Sequence, residues 1–345
     1  MIKIGIVGGT GYGAVELLRI LTQHPHVDEI NIYSNSKAGD KISDSYPHLD
    51  AIANIEMKTL SVAEAKTNDV LFFATPPGVS HQWIPKLYGT GVKLIDLSGD
   101  FRLLDREVYA SWYKQATTEK EWLEKAVYGL SEVYTEAISE AEIVANPGCY
   151  PTATLLGLLP AIEGKIIDPS SIIVDGKTGV SGAGRSVSLN THYAEMNENF
   201  KVYQVGTHKH TPEIERFLSD KAEADVVISF TPHIVPMTRG IMTTSYTQIM
   251  TNHTEQEIED FYRAYYEHQP FVRIRTNGNL PQTKEVYGSN YCDISITVDQ
   301  RTGRLIIIAV IDNLMKGAAG QAVQNMNIIN GWDQTTGLSF IPTYP

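Results

Sequence analysis

The segment ANPGCYPTAT, residues 145–154, holds Cys149, one of only two cysteines in the chain. Pro151 suits the first position of a helix, where its missing N–H costs nothing, so Cys149 is expected just ahead of a helix N-terminus. The partial positive charge at such a terminus favours thiolate, the nucleophilic form of cysteine. Gly148 allows a sharp turn and leaves space beside the sulfur. A buried structural cysteine is the alternative, and it is the preferred interpretation for Cys292, which lies in a strand pattern.

A thiolate catalyst needs a general acid/base, and among ten histidines the segment GTHKHTPEIERFL is the most suggestive source. Thr211 can cap a helix, Pro212 suits its first position and Glu213 suits its first turn. His210 lies at that junction, where we expect an exposed and oriented side chain. The pattern favours His210 as the acid/base, with a surface histidine or a helix cap as the alternatives.

Three arginines lie in segments that can bind an anionic substrate. They are Arg102 in DLSGDFRL, Arg185 in SGAGRSV and Arg239 in VPMTRGI. A guanidinium group recognises carboxylate and phosphate oxygens in a bidentate manner. Each arginine can equally form a structural ion pair, so both interpretations stay open at this point.

The glycine-rich segment IVGGTGYGAVELL follows the first apolar run and opens the first helical pattern. Gly9, Gly11 and Ala14 fit the pattern G-x-G-x-x-G/A. Small residues permit a tight turn and close approach of the backbone to a pyrophosphate, and the helix N-terminus offers its N–H groups to the anion. The strand, loop and helix context favours a dinucleotide site over a tight turn without a ligand.

The end of the second strand pattern, INIYSNSKAG, bears on the choice of dinucleotide. An NAD-preferring site usually carries an acidic residue there, whereas this chain has Ser34, Asn35, Ser36 and Lys37. Hydroxyl groups and a cation suit a 2′-phosphate. The sequence therefore favours NADP(H), although serines and a lysine are also ordinary loop residues.

Hydrophobic periodicity predicts the elements that carry the glycine loop. Over the first 100 residues, apolar runs such as IKIGIVG and DVLFFATPP alternate with helical patterns. In the first helical pattern, Ala14, Leu17, Leu18 and Leu21 share one face. Uniformly apolar strands that alternate with helices predict a doubly wound, parallel α/β sheet of Rossmann type.

The sequence pattern changes from about Ser171. Beyond that point strand patterns dominate, often with apolar and polar residues in alternation. They predict a second, α+β domain with a mixed, largely antiparallel sheet. DQRTGR predicts a hairpin turn with Gly303 at positive φ. Near the end, NLMKGAAGQAVQNMNIINGW predicts one helix closed by Gly331.

Composition narrows the function classes. The chain is 42% hydrophobic and 20% charged, as in a globular protein, and its formal charge of −12 argues against nucleic-acid and anionic-membrane partners. We expect no signal peptide and no membrane span. Two cysteines are too few for a disulfide framework, so a cytoplasmic location is expected. No Cys/His group has zinc-ligand spacing, and no metal site is predicted.

Taken together and in order, seven motifs make the chain similar to the N-acetyl-γ-glutamyl-phosphate reductases, the arginine-pathway branch of the semialdehyde dehydrogenase superfamily. The resemblance covers essentially the whole chain, and NPGCYPT with HKHTPEI is its most specific pair. The motifs are GGTGYGAVELLRIL, DLSGDFRL, ANPGCYPTAT, GVSGAGR, HKHTPEIE, TPHIVPMTRGI and IDNLMKGAAGQAVQNMNI.

This resemblance implies reversible, NADPH-dependent reduction of N-acetyl-γ-glutamyl phosphate to the semialdehyde through a thioester on Cys149, with His210 as acid/base. It also implies a homo-oligomer, either dimer or tetramer. The implied domains are a dinucleotide-binding domain of residues 1–148 with 313–345, and a catalytic and oligomerisation domain of residues 149–312. The resemblance adds Asn313, Lys316 and Gly317 to the cofactor site. The predicted cofactor-binding residues are therefore Gly8, Gly9, Thr10, Gly11, Tyr12, Gly13, Ala14, Ser34, Ser36, Asn313, Lys316 and Gly317. The predicted substrate-binding residues are Arg102, Asn146, Arg185, Glu213 and Arg239.

The sequence departs from the family in three places. The family loop commonly reads Gly-Ala-Ser-Gly-Tyr-Thr-Gly-Ala, whereas here Ala14 takes the third small position. Pro77 stands where the family often has a histidine, and Gly99 where alanine is usual. The resemblance leaves rivals open: an enzyme of the aminoadipate type acting on a carrier-bound substrate, an aspartate-semialdehyde dehydrogenase, or a cofactor-binding regulator without catalysis. The charge of −12 argues against an acidic carrier protein.

Overall fold

The computed structural model describes residues 1–345, which divide into two compact units. The units are Met1–Pro147 with Ala318–Ser339, and Gly148–Gly317 with Phe340–Pro345. The predicted first domain includes Gly148, residues 313–317 and residues 340–345, which cluster with the second unit instead.

The first unit contains a seven-stranded sheet in which every neighbouring pair is parallel. The strands are β1 (Ile2–Val7), β2 (Val27–Tyr33), β3 (Met57–Lys58), β4 (Val70–Phe73), β5 (Lys93–Asp96), β6 (Ala126–Tyr128) and β7 (Ile143–Ala145). Their order is β3-β2-β1-β4-β5-β7-β6. The chain order reverses between β1 and β4, which is the topological switch point where ligands of such sheets bind. The predicted Rossmann-type class is confirmed.

Eight helices belong to this unit, and their buried faces form its core with the sheet. They are α1 (Tyr12–Leu21), α2 (Ile42–Ser45), α3 (Val62–Ala65), α4 (Ser80–Leu87), α5 (Arg106–Tyr113), α6 (Lys120–Leu123), α7 (Ser131–Ser139) and α12 (Gly320–Ile329). In α1, Ala14, Leu17, Leu18 and Leu21 are all buried, as their spacing predicts.

The second unit contains a mixed, seven-stranded sheet, as predicted. Its strands are β8 (Ile173–Thr178), β9 (Lys201–Val202), β10 (Ser229–Ile234), β11 (Ile241–Gln248), β12 (Val272–Arg275), β13 (Cys292–Asp299) and β14 (Arg304–Ile311). Their order is β12-β13-β14-β11-β8-β10-β9, and only the β12–β13 and β8–β10 pairs are parallel. The predicted hairpin joins β13 to β14, and Gly303 has φ of +67° in its turn.

Four helices belong to the second unit: α8 (Cys149–Glu163), α9 (Tyr193–Met196), α10 (Thr211–Ala222) and α11 (Glu255–Tyr265). Buried α8 packs on β11 and β14. Pro160 interrupts α8, because it has no N–H for the carbonyl of Leu156 four residues before it. The phenol of Tyr266, which ends α11, donates to that carbonyl at 2.6 Å, and Tyr262 donates to the carbonyl of Gly157 at 2.7 Å. The first of these hydrogen bonds satisfies, from outside the helix, the carbonyl that Pro160 leaves without a donor.

The C-terminal helical pattern differs from the single helix expected. Met315–Ala319 forms a π-helical turn, in which the Gly317 amide donates to the Asp312 carbonyl at 3.0 Å, and α12 follows at Gly320. Gly331, at φ of +71°, follows the end of α12, as predicted. None of the helices combines the length and apolar character that a membrane span requires.

Candidate active site

Cys149 is the first residue of α8, with Gly148 as the N-cap. The helix therefore begins two residues before the predicted start at Pro151, which occupies its third position. No acidic residue lies in the first turn of α8 to offset the positive end of the helix dipole. Cys149 is partly exposed, whereas Cys292 is fully buried in β13, as the strand pattern predicts.

The N-termini of α8 and α10 are joined by one buried hydrogen bond. Glu213, in the first turn of α10, accepts from the amide of Gly148 at 2.8 Å. His210 is the N-cap of α10, so the same bond brings His210 and Cys149 to neighbouring helix ends. His210 is only 7% exposed, and the expected exposed position is wrong. Glu213, predicted to bind substrate, here holds the residue that precedes Cys149.

Gly317, predicted to bind cofactor, lies directly against Cys149. A β carbon on Gly317 would lie 2.8 Å from the β carbon of Cys149 and 3.2 Å from its α carbon. Carbon atoms in contact are normally about 3.5–4.0 Å apart. Position 317 therefore has no room for a side chain while Cys149 keeps its place.

Aromatic residues outside the predicted site surround the imidazole of His208. Its ring centroid lies 4.8 Å from His210, 5.4 Å from Tyr203 and from Phe230, and 5.6 Å from Tyr150. Burial, with a smaller effect of Lys209, lowers the pKa of His208 to about 3. The hydroxyl of Tyr150 donates to the carbonyl of His233 at 3.1 Å. Burial raises the pKa values of both phenols, Tyr150 and Tyr203.

Arg239 forms a bidentate ion pair with Asp312. Its Nε and Nη2 atoms lie 3.0–3.3 Å from the carboxylate oxygens, and its guanidinium group lies over the ring of Tyr287. Asp312 is fully buried and also accepts from three backbone amides. Asn313 accepts from the amide of Gly240 at 2.7 Å and donates to Ser181 at 2.9 Å. These contacts fix the turn after β14, which leads to Gly317.

The remaining predicted residues of the second unit differ in burial. Lys316 is fully buried, with its ammonium group 5.7 Å from the ring centroid of Phe271. Arg185 lies on an exposed stretch that runs from Gly182 to Asn190. The predicted roles of Lys316 in cofactor binding and of Arg185 in substrate binding stay predictions.

In the first unit, the glycine loop lies between β1 and α1 and has the backbone that a pyrophosphate cradle needs. Gly8 has φ of +94°, and a β carbon there would lie 2.5 Å from the carbonyl oxygen of Ala74. A β carbon on Gly9 would lie 2.3 Å from Ile32, whereas one on Gly13 would meet nothing closer than 3.9 Å. Gly11 caps α1, whose first turn has no acidic side chain. The loop therefore fits a dinucleotide phosphate group.

Other predicted cofactor residues lie on either side of this loop. The carbonyl of Thr10 accepts from the phenol of Tyr46 at 2.9 Å, and Tyr12 begins α1. Ser34 is buried at the end of β2, and Ser36 is exposed. Lys37, considered for the 2′-phosphate, lies 3.1 Å from Asp40 in an exposed ion pair.

Arg102 and Asn146 contact each other in the first unit. Arg102 is 4% exposed and donates to the carbonyls of Asn146 at 2.8 Å and Leu97 at 3.0 Å. The Asn146 side chain donates to the carbonyl of Ala318 at 3.2 Å and accepts from Asn325 at 3.0 Å. Both residues take part in structural hydrogen bonds, and their predicted substrate contacts stay predictions.

A buried pair of carboxylates, Asp96 and Asp100, lies beside Arg102 in the same DLSGDFRL motif and was not among the predicted site residues. Asp100 accepts from the amide of Gly78 at 2.9 Å, from Ser80 at 2.9 Å and from Tyr109 at 2.6 Å. Burial and the neighbouring Asp100 raise the pKa of Asp96. Asp100 thereby shapes the loop that follows β4, at the carboxyl edge of the parallel sheet.

Known families match both units of the chain. Residues 3–141 match the family described as semialdehyde dehydrogenase, NAD binding domain. Residues 149–313 match the family described as semialdehyde dehydrogenase, dimerisation domain. The second match begins at Cys149.

Similar proteins match over their full length. The chain is 52% identical over 344 residues to N-acetyl-gamma-glutamyl-phosphate reductase of Bacillus subtilis (strain 168), which covers 99% of this chain and 100% of that relative. It is 52% identical over 343 residues to the protein of the same name from Geobacillus thermodenitrificans (strain NG80-2), with the same coverage.

Solved structures share the fold at low sequence identity. Aspartate semialdehyde dehydrogenase II from Vibrio cholerae, complexed with ASA, has a TM-score of 0.73 at 19% identity and covers 96% of this chain and 98% of its own. Aspartate semialdehyde dehydrogenase with NADP from Candida albicans has a TM-score of 0.68 at 15% identity, with coverage of 96% and 98%.

Proposed function

The chain belongs to the semialdehyde dehydrogenase family, and from this premise we propose that it reduces N-acetyl-γ-glutamyl phosphate to N-acetylglutamate semialdehyde with NADPH, in arginine biosynthesis. The observation that carries the choice of substrate is the 52% identity to reductases of that name over 99% of the chain. The joined helix ends that carry Cys149 and His210 support the chemistry.

The first step uses Cys149 as the nucleophile. Its thiolate attacks the acyl carbon, a carbon–sulfur bond forms, and phosphate leaves with the electron pair of the carbon–oxygen bond. The position at the start of α8 supports this role, because the helix dipole stabilises a thiolate there. Gly148 donates its amide to Glu213, and Pro151 has none. Within the first turn, therefore, α8 offers at most the amides of Cys149 and Tyr150 to a developing oxyanion.

The second step removes the thioester. NADPH, when bound, supplies the hydride that reduces the thioester carbonyl carbon. His210 donates a proton to the resulting oxyanion and then takes it back as the carbon–sulfur bond breaks, which releases the aldehyde and restores the thiolate of Cys149. The glycine loop from Gly8 to Ala14 would hold the cofactor phosphates, with Ser34 and Ser36 near the 2′-phosphate. Asn313, Lys316 and Gly317 complete the proposed cofactor set.

For the substrate we propose two kinds of contact. The guanidinium groups of Arg102, Arg185 and Arg239 are the proposed partners of its phosphate and carboxylate groups. Asn146 and Glu213 are the proposed polar contacts near Cys149. We further propose that the second unit assembles the chain into a dimer or tetramer, because it matches a dimerisation domain. The molar mass, measured by light scattering as the protein elutes from a size-exclusion column, tests this assembly.

A steady-state assay with three acyl phosphates tests the proposed function. N-acetylglutamyl, aspartyl and aminoadipyl phosphate are each offered with NADPH and with NADH. We expect turnover with the first substrate and NADPH to exceed every other combination. Preference for aspartyl or aminoadipyl phosphate would assign the chain to another member of the family.

Two variants test the residue roles. Cys149→Ser should abolish reduction and leave NADPH binding nearly intact, because serine is a far weaker nucleophile of the same shape. His210→Asn should lower turnover by about 10²-fold or more, the usual scale for losing a positioned proton donor. Normal turnover in Cys149→Ser, or a wild-type pH–rate profile in His210→Asn, would contradict these roles.

A further inference from the structure

The imidazole of His208 is buried, has two ring nitrogens that can form hydrogen bonds, and has no part in the proposed reaction. It is 5% exposed and lies two residues before His210. Four rings, those of Tyr150, Tyr203, His210 and Phe230, meet it at interplanar angles of 71–90°. Because each ring approaches close to perpendicular, the imidazole is held on several sides and has little freedom to rotate.

Hydrogen bonds determine which nitrogen of His208 carries the proton. Nδ1 lies 3.1 Å from the backbone nitrogen of His210, whose N–H can only donate. Nδ1 is therefore the acceptor, and the proton of the neutral ring lies on Nε2. Nε2 lies 3.3 Å from the hydroxyl of Tyr203 and donates to it. The ring thus links the backbone at position 210 to a buried phenol.

His208 also fixes the backbone on which His210 is carried. Its side chain accepts the amide of His210, and its carbonyl accepts the amide of Thr211 at 2.9 Å. His208 therefore accepts hydrogen bonds from two consecutive backbone amides at the start of α10. These are orphan donors, because the first amides of a helix have no partner within it. The orientation of His210 follows from this backbone.

The charge of this region depends on the same ring. Burial, with Lys209 as the smaller cause, keeps the pKa of His208 near 3, so the ring stays neutral at physiological pH. The other ionisable groups that face this region are Lys209, His210, Glu213, Cys149, Tyr150 and Tyr203. A protonated His208 would lose the acceptor for the His210 amide and would place a second cation beside the acid/base.

We propose that His208 is a positioning residue, which holds the acid/base His210 in its working orientation through the Nδ1 bond and is itself held by Tyr203. This inference rests on the proposed function for the role of His210. The arrangement of the ring nitrogens is independent of that function. The two parts can therefore be tested separately.

Histidine NMR on the full-length wild-type protein tests the arrangement without any substrate. The ring signals of His208 are assigned in the wild-type protein itself, from their through-space contacts with the rings of Tyr203 and Phe230, whose centroids lie 5.4 Å away. We expect His208 to show the tautomer with the proton on Nε2 and to keep one chemical shift between about pH 5 and 9. A proton on Nδ1, or titration of His208 in that range, would overturn the proposal even if every variant failed to fold.

Three variants test the effect on catalysis. His208→Leu removes both hydrogen bonds, His208→Asn keeps an acceptor close to the position of Nδ1, and Tyr203→Phe removes only the outer partner. His253→Leu is the control, because the exposed His253 also uses Nδ1 for a local bond, 2.8 Å from Thr251. NADPH affinity, from fluorescence, reports whether the cofactor site is intact in each variant.

We expect His208→Leu to lower kcat about tenfold or more and to change KM less than about threefold. It should also shift the part of the pH–rate profile that reports the ionisation of His210. His208→Asn should recover most of that loss, and Tyr203→Phe should fall between the two. A wild-type pH–rate profile in His208→Leu, or equal defects in the Leu and Asn variants, would refute the positioning role. A wild-type protein that reduces none of the three acyl phosphates would refute the proposed function and leave the NMR result unaffected.

Discussion

A methyl group added at Gly317 should disable Cys149 without disturbing the cofactor loop. In Gly317→Ala the new β carbon would lie 2.8 Å from the β carbon of Cys149, 3.2 Å from its α carbon and 3.2 Å from Ile311. The φ angle of Gly317 lies outside the left-handed region, so the backbone itself accepts alanine. The effect of the substitution is therefore steric.

The size of the effect follows from these distances. Normal carbon contacts of about 3.5–4.0 Å require Cys149 or the π-helical turn to move by about 1 Å. The atoms in the way are the α and β carbons of Cys149, which cannot swing aside as the end of a long side chain can. Overpacking of this kind costs about 1–3 kcal/mol of stability. A displacement of about 1 Å at a reacting group costs about 10²-fold in rate.

Three measurements separate displacement of Cys149 from a loss of cofactor binding, because a glycine can contact the cofactor only through its backbone, which alanine keeps. We expect kcat/KM to fall about 10²-fold, alkylation of Cys149 by iodoacetamide to slow or accelerate markedly, and NADPH affinity to stay within about threefold of wild type. Gly157→Ala is the control, because Gly157 lies in α8, the helix that begins with Cys149. Its β carbon would lie 3.3 Å from the Cγ2 methyl group of Ile307 and 3.5 Å from the β carbon of Ala309, so a shift of a few tenths of an ångström accommodates it. Weakened NADPH binding with unchanged thiol reactivity in Gly317→Ala would refute the steric reasoning.

Further expectations concern the glycine loop, helix α8 and pH. Gly8→Ala and the control Gly91→Ala place alanine at φ of +94° and +89°; both should destabilise the protein, but only Gly8→Ala should weaken NADPH binding, by about tenfold or more, in a fluorescence titration. Tyr266→Phe should cost about 1–3 kcal/mol in urea denaturation by leaving a buried carbonyl unsatisfied, and about 1 kcal/mol less in a Pro160→Ala background, where the new amide replaces the phenol. His208 has a pKa of about 3 in the folded state and 6.5 as its ordinary value, so its contribution to stability is complete above pH 6.5 and is lost as the pH falls below it. The free energy of unfolding should therefore drop by about 1 kcal/mol more in wild type than in His208→Asn between about pH 7.5 and 5.5, and equal drops would contradict the lowered pKa.

Local chemistry made much of the fold and part of the candidate site predictable. The glycine loop, the alternation of strands and helices, and the Gly303 hairpin each rest on neighbours within a few residues. The start of α8 near Cys149 is similarly local, and the error of two residues reflects how well proline fits several positions of a first turn. For these features, short-range backbone preferences and the tertiary structure agree.

Long-range contacts determined what the sequence could not predict. The rings around His208 include Phe230 of β10, twenty-two residues away in sequence, so no spacing rule reveals them. The π-helical turn depends on Asp312, whose carboxylate is held by Arg239. Arg102 occurs in a motif that suggested anion binding, yet its guanidinium group donates to two backbone carbonyls. Sequence identifies a cation, but only the folded chain shows what it contacts.

The phenols that donate into α8 have a consequence for how the protein folds and opens. At Pro160, α8 lacks the one backbone hydrogen bond that would end on the carbonyl of Leu156, and Tyr266 at the end of α11 supplies that bond instead. The second half of α8 therefore gains its full stability only when α11 docks, although about 110 residues separate the partners. In amide hydrogen exchange the two helices should open as one cooperative unit. Local unfolding of α11 would then also destabilise α8, the helix whose first residue is Cys149.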